Sequence, residues 1–266
     1  MSQLNNPLEI YRFLPKSNCR QCQFPTCLAF AAAVIKGQKS LNNCHQLDSS
    51  IIERLDGKIV KLATADSIHE QLLKSLKKEI ASVDFSSSAE RLGASFSWEK
   101  LKIKALGKDF IVDANGKITS DCHINSWVTI PLLNYIIYSK GNNVSGNWVP
   151  FRELKNGKSR EAIFGKRCEK ALKQIADTHT DLLEDIISVF GGRPAANVFS
   201  SDISLVLHPL PKIPILISYC KPVDDLESKL NIFFDTTAED NLNIELIHML
   251  CVGLVTMFEK ITFRHS

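Results

Sequence analysis

Apolar residues recur along this chain with two different periods, and the change of period divides it. Residues 8–14 (LEIYRFL) put Ile10, Phe13 and Leu14 on one side of a short helix that stops at Pro15. The run LAFAAAVIKG at 28–37 predicts a second helix, entered through Pro25-Thr26 with Thr26 as N-cap and closed by Gly37. Two amphipathic helices follow. Ile52, Leu55, Ile59 and Leu62 share a face behind a Ser49 or Ser50 cap, and Ile68, Leu72, Leu76 and Ile80 share the next, with Lys and Glu opposite. Residues 84–88 (DFSSS) read as a polar interruption, and a domain boundary is placed near them.

Beyond residue 94 the period becomes two. Residues 95–119 alternate apolar and polar side chains around the turn signals Gly107-Lys108 and Asn115-Gly116, which predicts two or three antiparallel strands. Residues 127–140 (WVTIPLLNYIIYSK) read as an apolar helix with Pro131 as a kink site. Further helices are expected over 165–178 and 181–190, the second ended by Gly191-Gly192. Short strands at 203–207 and 213–219 are joined through HPLPKIP, a third lies at 229–235, and a final helix covers 243–262. Helices and antiparallel strands are segregated along the chain, so the class is α+β. A small, mainly helical module occupies 1–50, helices connect it over 51–90, and a larger domain of antiparallel strands and helices fills 91–266.

Composition narrows the function classes. With 44% hydrophobic and 23% charged residues the chain is that of a folded protein, and its net charge is only +3. No basic stripe with interleaved aromatics is present, which argues against nucleic acid as a partner; the run Lys74-Ser75-Leu76-Lys77-Lys78 is the solvated face of a helix. The most apolar stretch, 242–261, is broken by Glu245, His248, Glu259 and Lys260, and reads as a buried helix, not a membrane span. The N-terminus lacks a charged start, an apolar core and a cleavage site, so a cytoplasmic location is expected. In that setting eight cysteines point away from a disulfide framework.

Four of those cysteines carry the chemistry. Cys19, Cys22, Cys27 and Cys44 stand at C-x2-C-x4-C-x16-C, three within nine residues and the fourth after a short helix and a turn. Four thiolates complete either an iron–sulfur cluster or a closed zinc site. Structural zinc sites usually pair two short knuckles and only one exists here, but the spacing alone leaves both metals open. Cys27 is expected in the first turn of the helix at 28–37, where the free amides and positive end of a helix favour an anionic centre. Leu28, Phe30 and Ala31 to Ala33 are expected to pack around that centre, with Ile10, Phe13 and Leu14 covering one side. His45 reads as a solvated neighbour, not a ligand.

The run FLPKSNCRQCQFPTCLAFAAAV at 13–34, followed by Cys44, resembles a small four-cysteine [4Fe-4S] domain of anaerobic metabolism. That domain occurs in the large subunit of the corrinoid iron–sulfur protein and in a subunit of ion-pumping ferredoxin oxidoreductases. The shared features are Leu14-Pro15, Asn18, the cysteine spacing, Pro25-Thr26, and Ala29 with Phe30. The resemblance implies a [4Fe-4S] cluster held by Cys19, Cys22, Cys27 and Cys44. It departs at Arg20 and Gln23, where the family often has glycine. The remainder resembles an uncharacterised domain that accompanies this motif in anaerobic bacteria and archaea.

The larger domain shows no phosphate-binding loop, H-E-x-x-H or G-x-S-x-G. His248 and Cys251, with Cys220, read as packing residues on or near an apolar helix. Cys122-His123 and Cys168 read as incidental, Asp202, His208 and Asp235 as strand-end residues, and none is nominated as catalytic. The expectation is a cytoplasmic protein moving single electrons to or from a redox partner, by analogy a corrinoid or ferredoxin-linked enzyme. The alternatives are a binding protein with a structural cluster or zinc, and an enzyme whose active site lies in the C-terminal domain.

Overall fold

The computed structural model describes residues 4–55, 57–60, 65–195 and 200–265. The chain forms two compact units, residues 1–71 and 72–266.

In the first unit every helix is short because capping chemistry and left-handed residues punctuate the chain. Helix α1 (Pro7–Tyr11) is set by a capping box between Asn6 and Glu9, and it ends before the predicted limit at residue 14. Helix α2 (Cys27–Ile35) begins as predicted, with the Thr26 hydroxyl accepting from Ala29 N at 3.1 Å. Helix α3 (Ser49–Leu55) is capped by Asp48, not by either serine: the Asp48 carboxylate accepts from Ser50 N at 2.9 Å. That bond holds the Asp48 carboxyl below its usual range. The helix predicted to run to Leu62 stops at Leu55, and Gly57 turns the chain at φ +72°. Ile59 then pairs with Leu4 as a parallel bridge, while Leu62 lies outside the described residues. Ile10, Leu14, Phe30, Val34, Ile35, Leu41 and Leu47 form this unit's core together with Cys27 and Cys44.

Helix α4 (Ala65–Glu79) follows, its stripe only half used: Leu76 and Ile80 are buried, and Ile68 and Leu72 stand at the surface. The serine-rich stretch at 84–88 is not an interruption but a helix start. Asp84 accepts from Ser86 N at 2.9 Å, opening α5 (Phe85–Leu92), which Gly93 closes in the left-handed conformation. Serines there are helix-entry residues because Asp84 satisfies the first free amides.

The alternating segment forms four strands, β1 (Ser95–Ser97), β2 (Lys100–Ala105), β3 (Lys108–Asp113) and β4 (Ile118–Thr119), in the order β1-β2-β3-β4. The additional strand arises because Trp98 and Glu99 both take positive φ and close a two-residue hairpin without any glycine. Leu106-Gly107 turns β2 into β3 the same way. Helix α6 (Ser126–Tyr138) continues through Pro131 and buries Ile130, Leu132, Leu133, Tyr135 and Ile136. A second, five-stranded antiparallel sheet has the order β5-β9-β8-β7-β6. Its strands are β5 (Trp148–Pro150), β6 (Arg193–Pro194), β7 (Ile203–Leu210), β8 (Ile213–Cys220) and β9 (Lys229–Asp235). The two short edge strands carry too few residues to show alternation in the sequence. Between them run α7 (Glu161–Phe164), a π-helical turn at Gly165–Glu169, α8 (Lys170–Thr178) and α9 (Thr180–Val189); α10 (Ala238–Asn241) and α11 (Ile244–His265) complete the chain. The α+β class holds. By length and composition α11 is apolar enough to cross a membrane, and half of that apolar window is buried inside the unit, against α6 and α8 among others.

Two buried polar side chains tie the loop after α6 to this framework. Asn241 accepts from Ser139 Oγ and Gly141 N, each at 2.9 Å, and donates to Asn142 O. Asp235, fully buried at the end of β9, accepts from Ser145 N at 3.1 Å, Gly146 N at 2.6 Å and Thr237 N at 3.0 Å. Burial alone would raise its pKa, but the donors of Thr237, Ser145 and Gly146 outweigh that and hold the carboxyl below its usual range. Its stabilisation is therefore present above the unfolded carboxylate pKa and lost as pH falls through the folded one. Asp235→Asn is expected to cost about 2–3 kcal/mol near neutral pH. In urea titrations the gap between wild type and variant should narrow from about pH 6 to about pH 3.

Candidate metal centre

The loop between α1 and α2 is shaped by backbone that L-residues rarely adopt. Lys16, Asn18, Arg20 and Gln23 all have positive φ, at 60°, 48°, 62° and 65°. Arg20 and Gln23 are the two positions at which the resembled cluster domain often carries glycine. The geometry gives the reason: the chain reverses directly after Cys19 and again after Cys22, and glycine makes such turns without a Cβ penalty. The first reversal is closed by Gln23 N donating to Arg20 O at 2.9 Å. Turns of this kind direct successive amides into a concavity suited to an anionic group.

Asn18 fixes the loop to α2, its side-chain oxygen accepting from Cys27 N at 2.8 Å. Cys27 is thereby set in the first turn of the helix. Two first-turn donors, Cys27 N and Ala29 N, are consumed by Asn18 and Thr26. The helix thus contributes its dipole to the centre more than those amides, a refinement of the expectation that free helical N–H groups would face it. Cys44 is delivered by a 3-10 turn at Leu41–Asn43, capped by Ser40, and its own amide donates to Leu41 O at 3.0 Å. Ser17 Oγ donates to Gln46 Oε1 at 2.6 Å and clasps the two arms of the loop.

All four sequence-predicted cysteines, Cys19, Cys22, Cys27 and Cys44, line one cavity of about 320 Å³ that opens to solvent. Cys27 and Cys44 are buried, Cys22 is half-buried and Cys19 is exposed. Phe24 and Phe30 form the apolar wall, edge to face with centroids 6.1 Å apart. Among the described residues no carboxylate lines the cavity, while Arg20 and His45 stand at it. Ile10, Phe13 and Leu14, expected beside the centre, belong to the core behind it, and Leu28, expected to pack around it, is 41% exposed. The apolar cover comes instead from Phe24, which the sequence reading passed over as loop.

The donor set fits an iron–sulfur cluster. Four thiols from three separate local structures line one space, the number of ligands such a cluster takes. Among the described residues no group of three His, Cys, Asp or Glu side chains assembles elsewhere. Cys168 is fully buried, its thiol pushed up to about 12 mainly by burial, and Cys251 is buried beside it with its pKa also raised. Cys220 instead faces Ser200 O. His248 packs beside the stacked rings of Phe151 and Phe164, and burial lowers its pKa. Asp202 accepts from Lys221 N at 2.7 Å, and His208 is lowered by burial and by Arg193.

Two outcomes follow for the loop. Arg20→Gly and Gln23→Gly are each expected to raise stability by about 0.5–1 kcal/mol, the left-handed penalty relieved less the glycine entropy. Asn18→Ala is expected to cost about 1 kcal/mol. Thermal unfolding of the three variants checks both signs.

Residues 14–46 match a family described as "Putative Fe-S cluster". The N-terminal region is 49% identical over 49 residues to the corrinoid/iron-sulfur protein large subunit of Moorella thermoacetica, covering 18% of this chain and 11% of that protein. It is 34% identical over 55 residues to the acetyl-CoA decarbonylase/synthase complex subunit gamma of Methanocaldococcus jannaschii, covering 21% of this chain and 11% of that one. The chain thus spans about a tenth of the length of these relatives. No solved structure matches. Residues 84–257, more than half of the chain, match the domain of unknown function DUF3786. The chain belongs to the DUF3786 family, and the segment similar to the iron–sulfur family precedes the domain that defines it.

Proposed function

We propose that this protein holds one [4Fe-4S] cluster on Cys19, Cys22, Cys27 and Cys44, and that it passes single electrons to or from a partner protein of anaerobic metabolism in the cytoplasm. The observation that carries this reading is the single carboxylate-free cavity lined by all four thiols. Bound by four thiolates, a cubane accepts and releases one electron. The chain's own residues set the conditions for that exchange. Buried Cys27 and Cys44 anchor the site in the core, Phe24 and Phe30 keep water from one wall, and exposed Cys19 leaves an edge open to a partner. Arg20 supplies a positive charge beside an anionic centre, which favours the reduced state. The left-handed turns aim backbone amides toward the same space.

The similarity to corrinoid iron–sulfur and acetyl-CoA decarbonylase/synthase subunits supports a one-carbon or ferredoxin-linked partner, which supplies the low-potential electron or receives it. The test is EPR of anaerobically purified protein before and after dithionite, followed by mixing with an oxidised ferredoxin. About one reducible spin per chain, whose signal gives way on mixing to that of the reduced ferredoxin once dithionite has been removed, supports the reading. An iron centre that dithionite leaves unchanged transfers the role to a structural cluster. Arg20→Gln is expected to lower the midpoint potential by tens of millivolts, read by redox titration.

A further inference from the structure

We infer that the larger unit carries a second, separate site: a pocket for a small amphipathic carboxylate, between α6, α11 and the β2–β3 hairpin. The cavity opens to solvent and its lining is mostly apolar. Its walls are the side chains of Phe110, Trp127, Phe190, Leu250, Leu254 and Met257. Two local features keep it open. A Cβ at Gly253 would lie 2.7 Å from Trp127 Cβ, so only glycine lets the start of α6 approach the α11 backbone this closely. The left-handed Leu106-Gly107 turn is pinned by Leu106 N donating to His208 O at 2.9 Å, which fixes the hairpin tip at the cavity edge.

The polar groups are few and one-sided. Lys108, half-buried, lines the cavity with His123, Asn125 and Cys122, and no carboxylate does. Its strand neighbours Lys102 and Lys104 both pair with Asp109, at 2.7 and 3.2 Å, whereas Lys108 makes no ion pair among the described residues. A half-buried lysine with no ion pair among the described residues, lining an apolar cavity, matches a ligand with one negative charge and an apolar body. A wholly apolar ligand would leave that charge further desolvated, and a polyanion would meet a single lysine. Met257 in the wall adapts to ligands of different shape. The site uses none of the cluster residues.

The full chain is titrated with 11-(dansylamino)undecanoic acid, whose emission rises in apolar surroundings, and the probe is competed off with decanoate or decanol. The structure predicts saturable binding of about one probe per chain, with decanoate about tenfold more effective than decanol. Lys108→Met brings the two competitors to within about twofold, and Val128→Phe, which fills the cavity, abolishes probe binding. The decanoate–decanol comparison is made on the wild-type chain and needs no variant to fold. Absence of saturable binding, equal competition on the wild type, or a preference that survives Lys108→Met would overturn the inference.

Discussion

Four cysteines from separate local structures line one space, and the first unit is organised around it. Its core is small, and two of the thiol residues, Cys27 and Cys44, are themselves members of it. Among the described residues before α4, α-helix is confined to the short segments α1, α2 and α3, and the chain reverses between the cysteines. Four non-glycine residues within eight positions adopt left-handed backbone, each costing about 1–2 kcal/mol by itself. Such strain persists where the surroundings over-determine it. Here the Asn18 cap, the Ser17–Gln46 clasp and the Ser40 turn do so locally, and the proposed cluster would add binding free energy to that of this small core.

The larger unit solves a different problem. Its central strand β8 is buried on both faces, and the helices α6, α8 and α11 supply apolar cover within the same core. The long loop after α6 would leave backbone polar groups without partners, and Asp235 and Asn241 satisfy them from inside. Buried polar groups that carry such bonds are costly to remove, which accounts for a carboxylate in an apolar core without any catalytic role.

Legibility in the sequence followed the range of the interactions. The four cysteines, the Thr26 cap, the apolar helices and the central strands are local in cause, and they were readable from spacing and period. The Trp98-Glu99 hairpin was not, because the turn uses two residues that rarely take positive φ. The helix at 85–92 was hidden by serines whose role depends on one aspartate, Asp84. Strands β5 and β6, of three and two residues, carry no period to read. The reason that the resembled domain often has glycine at positions 20 and 23 emerged only from the backbone angles, and the part of Phe24 in walling the cavity only from the tertiary structure. Cys122 and His123, apparently incidental in the sequence, line a cavity that only the tertiary fold creates.

The central claim is that Cys19, Cys22, Cys27 and Cys44 surround a cluster and not a single ion. Metal and acid-labile sulfide analysis of anaerobically purified protein addresses it directly, with Cys44→Ala alongside. The account predicts about four irons and four sulfides per chain, with the sulfide lost in the variant. One zinc per chain and no sulfide would contradict it.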